Sequence, residues 1–207
     1  MKALSYAQIN WRPLLSYGDY ARLTEVLSDE ADECYMHGVA SCIERRVAAD
    51  TLGSAFTLVA EDHGAPLGWA GVLDYPARPG CVQSSTFLAP AARGTGLNLK
   101  AKTLLCTIAA LLGDAPLLLS IDQFNSRSQS AALKLFPEVE IELAMEPWDP
   151  SEVSHLFPVH GLPLGGQPLA ASELSKLATL IAGSPFGACH PLLSRSESNP
   201  STQKRRG

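Results

Sequence analysis

The amino-acid sequence predicts an α/β (α+β) domain in which a central sheet of six or seven strands is flanked by helices. Runs rich in β-branched and aromatic residues alternate along the chain with segments whose apolar residues recur every three or four positions. Prolines and glycines separate these segments. With 207 residues the chain is long enough to bury one substantial core. The predicted order of elements is β-α-α-β-β-β-α-β-α-β.

The first third of the chain predicts one strand followed by two helices. Residues Ala3–Asn10 have the pattern of a half-buried strand, and Pro13 is expected to end regular pairing because proline lacks an N–H donor. A helix begins at Asp19, and a second helix follows a break near Asp29–Glu33. The apolar positions that define the two helix faces are Tyr20, Leu23, Val26 and Leu27, then Met36, Val39, Ile43 and Val47.

The middle of the chain predicts three strands. Residues Ala55–Ala60 and Leu67–Leu73 are separated by the turn Glu61–Gly64, which is typical of an antiparallel hairpin. A third run, Val82–Leu88, is rich in β-branched and aromatic residues and ends before Pro90.

The next segments predict helices and strands in alternation. Residues Leu97–Leu112 carry apolar side chains at steps of three and four, the signature of an amphipathic helix packed on a sheet. A buried strand at Pro116–Ile121, a helix at Asn125–Phe136 and an alternating strand at Val139–Ala144 follow.

We expect residues 1–160 to form the main domain and residues 161–193 to form a loop and helix extension packed on it. Residues Leu156–Val159 are candidates for a last strand, and Ala170–Ala182 for a last helix. The stretch Ser194–Gly207 is rich in serine, proline and charge, so we expect a disordered tail.

Composition excludes several classes of protein. A formal net charge of -5 argues against broad affinity for nucleic acid, which requires a surplus of Lys and Arg. The five cysteines are scattered without a Cys-x-x-Cys pair, and the histidines lack ligand spacing, so no metal site is expected. The longest apolar stretch, Thr103–Leu112, is too short to cross a bilayer. Since no secretory or transit pattern is visible, we expect a cytoplasmic protein.

One short motif indicates chemistry. The turn Arg93-Gly94-Thr95-Gly96 stands between a predicted strand and a predicted helix, where backbone N–H groups meet the positive end of the helix dipole. Glycines let a phosphate approach the backbone, and Arg93 can add a charge-assisted contact. Taken alone, this motif is weak evidence for a phosphate site, and a plain tight turn is the alternative.

The segment from Phe87 to Lys102, read as FLAPAARGTGLNLKAK, resembles the coenzyme A loop of the GNAT superfamily of acyltransferases. It is most similar to the branch that contains ribosomal-protein N-terminal acetyltransferases. A second motif at the expected separation, Asn125-Ser126-Arg127-Ser128 followed by Ala132-Leu133-Lys134-Leu135, resembles the same branch. The resemblance extends over Leu4–Trp148 and includes the Arg12-Pro13-Leu14 opening.

The resemblance implies a GNAT fold with a mixed, splayed sheet and a cleft for the pantetheine arm of an acyl-CoA, with acetyl-CoA as the first candidate. Backbone groups around Phe87 and Leu88 would pair with that arm and polarise the thioester carbonyl. Asn125 would hydrogen-bond the pantetheine, although a helix N-cap is an equally natural role for it. The residues that the resemblance assigns to the cofactor are Phe87, Leu88, Ala89, Arg93, Gly94, Thr95, Gly96, Leu97, Asn98, Asn125 and Ser128.

The sequence departs from the family pattern at the two acid-base positions. Ala132 stands where many GNAT enzymes carry the tyrosine that protonates the leaving thiolate, and Gln83-Ser84-Ser85 occupy the region of a glutamate base. Asn98 replaces a small residue, which the resembling branch tolerates. Ser128 is a candidate substitute for the acid. Candidates for the base are Asp74 first, then Glu33, His37 and Asp122, each of which also has an ordinary structural explanation.

Lys100 and Lys102 are candidates for contact with the 3′-phosphate of coenzyme A, with solvated surface lysines as the alternative. The segment Trp148–Ala182 is expected to border the acceptor cleft and to shape a specialised pocket. Such a pocket favours a small-molecule amine as acceptor.

We therefore expect an N-acyltransferase that moves an acyl group, in the first place acetyl, from coenzyme A to an amine of a small metabolite. Two alternatives stay open. In the first, the acyl donor is a carrier protein or an aminoacyl-tRNA instead of coenzyme A. In the second, the chain is a module that binds coenzyme A without turnover. The sequence also leaves open a homodimer.

Overall fold

The computed structural model describes residues 4–6, 8–14, 17–27, 38–113, 115–146 and 149–190. The strands are β1 (Leu4–Tyr6), β2 (Ile9–Pro13), β3 (Ala55–Asp62), β4 (Ala65–Asp74), β5 (Val82–Leu88), β6 (Leu117–Asp122), β7 (Glu142–Glu146) and β8 (Asp149–Val159). The helices are α1 (Tyr17–Leu27), α2 (Gly38–Leu52), α3 (Leu97–Leu111), α4 (Ser126–Leu135), α5 (Ala171–Ala182) and α6 (Pro185–Cys189).

The strands form a single sheet in the order β1-β2-β3-β4-β5-β6-β8-β7. Every pairing is antiparallel except that of β5 with β6, which is parallel. Two parallel strands need a crossover connection, and α3 provides it. Both β5 and β6 therefore end at the same edge of the sheet, and each is followed by the N-terminus of a helix.

Helices cover both faces of the sheet. The main core lies on the face that carries α3 to α6, where Leu104, Phe157 and Ile181 are fully buried. A second core lies on the α1 and α2 face and includes Trp69 and Phe87, whose rings stack with centroids 5.0 Å apart. Burial of apolar surface on both faces stabilises the domain.

A buried ion pair joins β2 to β3. The Arg12 Nη2 atom donates to the Glu61 Oε1 atom at 2.7 Å, and each side chain is 8% exposed. Removing one partner of such a pair leaves an uncompensated buried charge. The Arg12-Pro13-Leu14 opening thus has a structural role in the sheet.

The predicted fold class is confirmed, and the element order holds, with a second short strand near the N-terminus and the short helix α6 as additions. The predicted strand Ala3–Asn10 is instead split into β1 and β2 by a turn at Gln8, whose φ of 68° is positive. This split brings the sheet to eight strands. Pro13, which was expected to end regular pairing, is the last residue of β2 and lies opposite Leu58 of β3. The end of a strand tolerates proline, which has no N–H to donate.

The last strand is longer than expected, because β8 covers Asp149–Val159 rather than Leu156–Val159. The predicted break at Asp29–Glu33 and the predicted tail at Ser194–Gly207 lie outside the described residues. Among the helices that the structure describes, none is both long and apolar enough to span a membrane.

Candidate functional site

A cleft opens between β5 and β6 at their carboxyl ends. The two strands pair from Val82 and Leu117 to Ser84 and Leu119, after which the described pairing stops. Strand β5 continues unpaired on that side to Leu88. Ligands of open α/β sheets bind at such carboxyl edges, where neighbouring strands separate.

The alternation of backbone groups along β5 decides which of them face the cleft. The Val82 N–H donates to the Pro116 carbonyl at 3.1 Å on the β6 side, whereas the Ala89 N–H donates to the Leu67 carbonyl at 2.8 Å on the β4 side. Backbone groups in a strand alternate between its two neighbours. Those of Thr86 and Leu88 therefore face the cleft.

Phe87 and Ala89 were expected to offer backbone groups to the cofactor, but the structure directs these groups elsewhere. The Phe87 carbonyl oxygen lies against Gly68 of β4, and an added Cβ at Gly68 would stand 2.1 Å from it. The Ala89 carbonyl accepts from the Ala92 N–H at 2.9 Å. Leu88 is thus the one of the three predicted residues whose main chain borders the cleft.

The glycine turn connects this strand to α3. A 3-10 turn at Pro90–Ala92 leads to Arg93, and Gly94 and Gly96 follow with φ of 74° and 84°. Residues other than glycine rarely adopt these positive φ values. An added Cβ at either glycine would meet no atom within 4 Å. The outer side of the turn is therefore open to a ligand.

The turn is held by its own side chains. The Thr95 Oγ1 atom donates to the Ala92 carbonyl at 2.7 Å, and the Arg93 Nε atom donates to the Leu88 carbonyl at 3.3 Å. Arg93 thus lies over the end of β5. Leu97 is 2% exposed in the main core, so it can offer only its backbone N–H to a ligand.

The two helices beside the cleft differ in how their N-termini are satisfied. Among the described residues no side chain caps the first turn of α3. At α4, by contrast, the Asn125 Oδ1 atom accepts from the Ser128 N–H at 3.0 Å. An uncapped N-terminus combines unsatisfied N–H donors with the positive end of the helix dipole. Asn125 therefore acts as the N-cap of α4, whereas no described side chain takes this role at α3.

Lys102 does not point to solvent. Its Nζ atom donates to the Thr86 Oγ1 atom at 3.1 Å, on the stretch of β5 that borders the cleft. Burial lowers the pKa of Lys102 to about 8, an effect that the nearby Cys106 thiol partly opposes. Burial also raises the pKa of Cys106 to about 11, so this thiol is neutral at physiological pH.

Lys100 lies on the other side of α3. It lines a groove with Asn10, Glu61 and Asp62, next to the hairpin of β3 and β4. This groove lies across α3 from the cleft, so the structure does not bring Lys100 and Lys102 together as a phosphate site.

The predicted acid-base residues are scattered. Asp74 pairs with Val82 at the opposite end of β5 from the cleft, and its Oδ1 atom lies 2.9 Å from the His190 Nε2 atom. Asp122 accepts from the Phe124 N–H at 2.7 Å as a turn residue. Ser128 lies in the first turn of α4, beside the cleft. Glu33 and His37 lie outside the described residues.

The segment expected to shape an acceptor pocket divides into two parts. Strand β8 borders β6, but the loop after it turns to the face of α3 and α4. The Leu164 N–H donates to the Leu135 carbonyl at 2.7 Å, and an added Cβ at Gly166 would lie 2.8 Å from the Thr103 Oγ1 atom. This loop therefore supports the helices beside the cleft.

In the described ranges, no three His, Cys, Asp or Glu side chains gather where they could hold a metal ion. Thr86 was missed as a cleft residue, and Lys102 was expected at the 3′-phosphate of coenzyme A rather than against Thr86 of β5. The sequence could have identified Thr86, because it lies two residues before Leu88 and so faces the same side of β5. It could not have given the direction of the Lys102 side chain, because that depends on how α3 packs on the sheet.

The splayed sheet and its glycine turn define the fold class of the GNAT acetyltransferases. No family model matches the chain, and no curated protein matches its sequence. Solved structures do match. A Desulfovibrio desulfuricans protein described as an acetyltransferase of the GNAT family has a TM-score of 0.58 at 13% identity, over 73% of this chain and 98% of that one.

Two further solved structures carry specific names. A chimera of the Vibrio cholerae spermidine N-acetyltransferase SpeG with hSSAT matches with a TM-score of 0.55 at 13% identity, over 74% of this chain and 96% of that one. The ribosomal L7/L12 alpha-N-protein acetyltransferase RimL, in complex with coenzyme A, matches with a TM-score of 0.55 at 12% identity, over 75% and 96%. At these identities the likeness establishes the fold, and this chain has the GNAT fold.

Proposed function

We propose that this protein is an N-acyltransferase that moves an acyl group, in the first place acetyl, from coenzyme A to the amine of a small molecule. The observation that carries the proposal is the coincidence of two features at one edge. Strands β5 and β6 separate beyond Ser84, and at the same edge β5 leads through two open glycines into the first turn of α3, which no described side chain caps.

These features suit the two halves of an acyl-CoA. A diphosphate needs several backbone donors and room to approach them, which Gly94, Gly96 and the first turn of α3 offer. The amides of a pantetheine arm need an unpaired strand edge, which Thr86 and Leu88 offer. We assign the diphosphate to residues 93–98 and the arm to Thr86, Leu88 and the Asn125 amide nitrogen.

The chain's own groups would act mainly by positioning. A backbone N–H from Thr86 or Leu88, aimed at the thioester oxygen, stabilises negative charge there by up to about 3–4 kcal/mol. Holding the amine at attack distance removes roughly 7–11 kcal/mol of the barrier. We leave Asp74 out of this mechanism, because it lies at the other end of β5 and faces His190.

The choice of a small-molecule amine as acceptor rests on the charge of the chain. The net charge of -5 favours the approach of a cationic amine. Among proteins of the same fold, SpeG is named for spermidine and RimL for a ribosomal protein. Fold alone does not choose between such acceptors. With a carrier-protein or aminoacyl-tRNA donor, the Arg93 loop would contact a single phosphate instead of a diphosphate. The chain has no surplus of basic residues, which disfavours the tRNA.

The proposal is tested by measuring binding and turnover separately. Isothermal titration with coenzyme A and acetyl-CoA tests the donor site, and thiol release across a panel of polyamines, aminoglycosides and N-terminal peptides tests the acceptor. We expect micromolar binding and thiol release with at least one small amine. Binding without release on any amine would favour a module without turnover. Absence of binding would refute the coenzyme A site.

Arg93→Glu sharpens the donor test. We expect it to abolish coenzyme A binding, because it places a negative charge beside the diphosphate site, while the circular dichroism spectrum is unchanged. Arg45→Glu is the matched control, since Arg45 is an exposed arginine on α2 on the opposite face of the sheet. Equal affinity in the Arg93 variant and in the control would remove Arg93 from the site.

A further inference from the structure

The amine of Lys102 is held against β5, on the stretch that borders the cleft. Lys102 is one helical turn after Asn98 and so lies on the same face of α3, which looks onto β5 and β6. Its Nζ atom reaches the Thr86 hydroxyl at 3.1 Å. Thr86 is also a residue whose backbone faces the cleft. The ammonium therefore lies beside the unpaired edge of β5.

The surroundings of this amine contain no compensating anion within the described part of the chain. Cys106, one turn further along α3, is the one titratable group that acts on it, and that thiol is neutral. From β5 it meets Thr86, and the neighbouring Ser84 is also uncharged. Burying a cation without a counter-ion is costly, so such an arrangement is typical of a functional site.

We propose that Lys102 is the proton donor to the departing thiolate of coenzyme A, in the role that a tyrosine on α4 fills in the family pattern. This inference rests on the proposed acyltransferase function and names a catalytic group for it. In the step, the amine nitrogen forms a bond to the acyl carbon and the carbon–sulfur bond breaks. The Lys102 ammonium gives one proton to the sulfur. The nitrogen releases one proton to solvent, and Lys102 takes one up again through the cleft.

The chemistry of Lys102 suits this role. An acid is most effective when its pKa lies near the operating pH, and burial brings the pKa of Lys102 to about 8. Thiols have ordinary pKa values of about 8.5, so the proton is shared between well-matched groups. Ala132, at the usual position of the tyrosine, has no ionisable proton to donate. Ser128 is the competing donor.

The direct test is the ionisation of the coenzyme A thiol in the complex, followed by thiolate absorbance in the ultraviolet. In the wild type we expect the bound thiol to have a pKa below that of free coenzyme A, because a cation beside it stabilises the thiolate. In Lys102→Met we expect this pKa to rise by about one unit, a tenfold loss of thiolate. Lys100→Met, a lysine on the other side of α3, is the matched control.

Two further variants separate the competing explanations. Thr86→Val keeps the ammonium but removes its hydroxyl partner, so we expect a smaller shift in the same direction. In Ser128→Ala we expect no shift. In turnover, Lys102→Met should lower kcat by about 10²–10⁴-fold with little change in KM, the usual contribution of a general acid. Methionine is apolar and of similar length, so it suits this half-buried position.

The outcomes distinguish this inference from the proposed function. If Lys102→Met binds coenzyme A with the same thiol pKa as Lys100→Met, Lys102 is not the donor, while the acyltransferase proposal stands. A shift in Ser128→Ala in place of Lys102→Met would transfer the role to Ser128. If the wild type binds no coenzyme A, both ideas fail together.

Discussion

Asp50, in the last turn of α2, is a half-buried acid, and one of its two carboxylate oxygens is satisfied within the described part of the chain. The Thr57 Oγ1 atom donates to its Oδ1 atom at 3.1 Å, whereas the Oδ2 atom is buried and has no hydrogen-bond partner among the described residues. Burial raises the pKa of Asp50 to about 7, although the charge of Arg46 and the bonds from Thr57 act in the opposite direction. Desolvation therefore outweighs the favourable contacts.

This pKa predicts how stability depends on pH. The unfolded chain ionises Asp50 near its ordinary value of 3.8, while the folded chain keeps the proton until about pH 7. Between these values the folded state binds more protons, so the contribution of Asp50 to the free energy of unfolding is lost as pH rises from about 4 to about 7. We expect Asp50→Asn to gain stability relative to wild type over this window, by on the order of a few kcal/mol.

Urea unfolding at a series of pH values measures this difference. Asp62→Asn is the control, because Asp62 is an exposed acid on β3. A difference between wild type and Asp50→Asn that stays flat from pH 4 to pH 7 would contradict the buried, protonated state.

The turn before α3 is the element on which the donor site depends, and its glycines provide a test with an internal control. Gly96 and Gly80 both have φ of 84°, and an added Cβ at either would meet no atom within 4 Å. Replacing either by alanine should cost roughly 1–2 kcal/mol, the strain of a left-handed conformation. Only Gly96 lies at the N-terminus of α3.

We expect Gly96→Ala to weaken coenzyme A binding by about tenfold or more, because its methyl group would stand where a phosphate approaches the backbone. Gly80→Ala should bind as the wild type does. Thermal unfolding and isothermal titration on both variants separate the two effects. If both variants lose stability equally and neither loses affinity, the turn does not hold the diphosphate.

Sequence reasoning succeeded at this element because its signals are local. A strand, a proline and two glycines before an amphipathic helix predict a turn and an exposed helix N-terminus whatever the rest of the chain does. It failed where long-range packing decides. Asp74 was the first candidate for the base, but only the register of β4 against β5 reveals that it lies at the opposite end of β5 from the cleft. Lys102 was a candidate for the 3′-phosphate or for the solvated surface, because α3 had no known orientation.

At the scale of the whole molecule, the C-terminal residues form part of the same core as the site. Leu177, Ile181 and Phe186 are fully buried in the cluster that contains the buried face of α3. The loop before α5 also contacts α3 and α4, the two helices beside the cleft. Loosening the C-terminal helices should therefore disturb the cleft as well as the global stability.

Phe186 is the residue that tests this coupling. Its ring centroid lies 6.5 Å from that of Phe56 on β3 and 4.3 Å from that of His190. His190 in turn contacts Asp74 at the end of β4. We expect Phe186→Ala to lower the free energy of unfolding by about 3–5 kcal/mol, the cost of emptying a buried aromatic site. Phe124→Ala is the matched control, because that ring is 84% exposed; its effect should stay within about 0.5 kcal/mol.

Urea unfolding followed by tryptophan fluorescence and by circular dichroism measures both effects. We expect one transition, at the same midpoint with both probes, that moves to lower urea in Phe186→Ala alone. Trp11 and Trp69 lie in the sheet, whereas circular dichroism also reports α5, so the two probes sample both parts of the chain. A separate early transition seen only by circular dichroism would mean that α5 and α6 unfold independently, and the C-terminal segment would then be an appendage rather than a part of the core that supports α3.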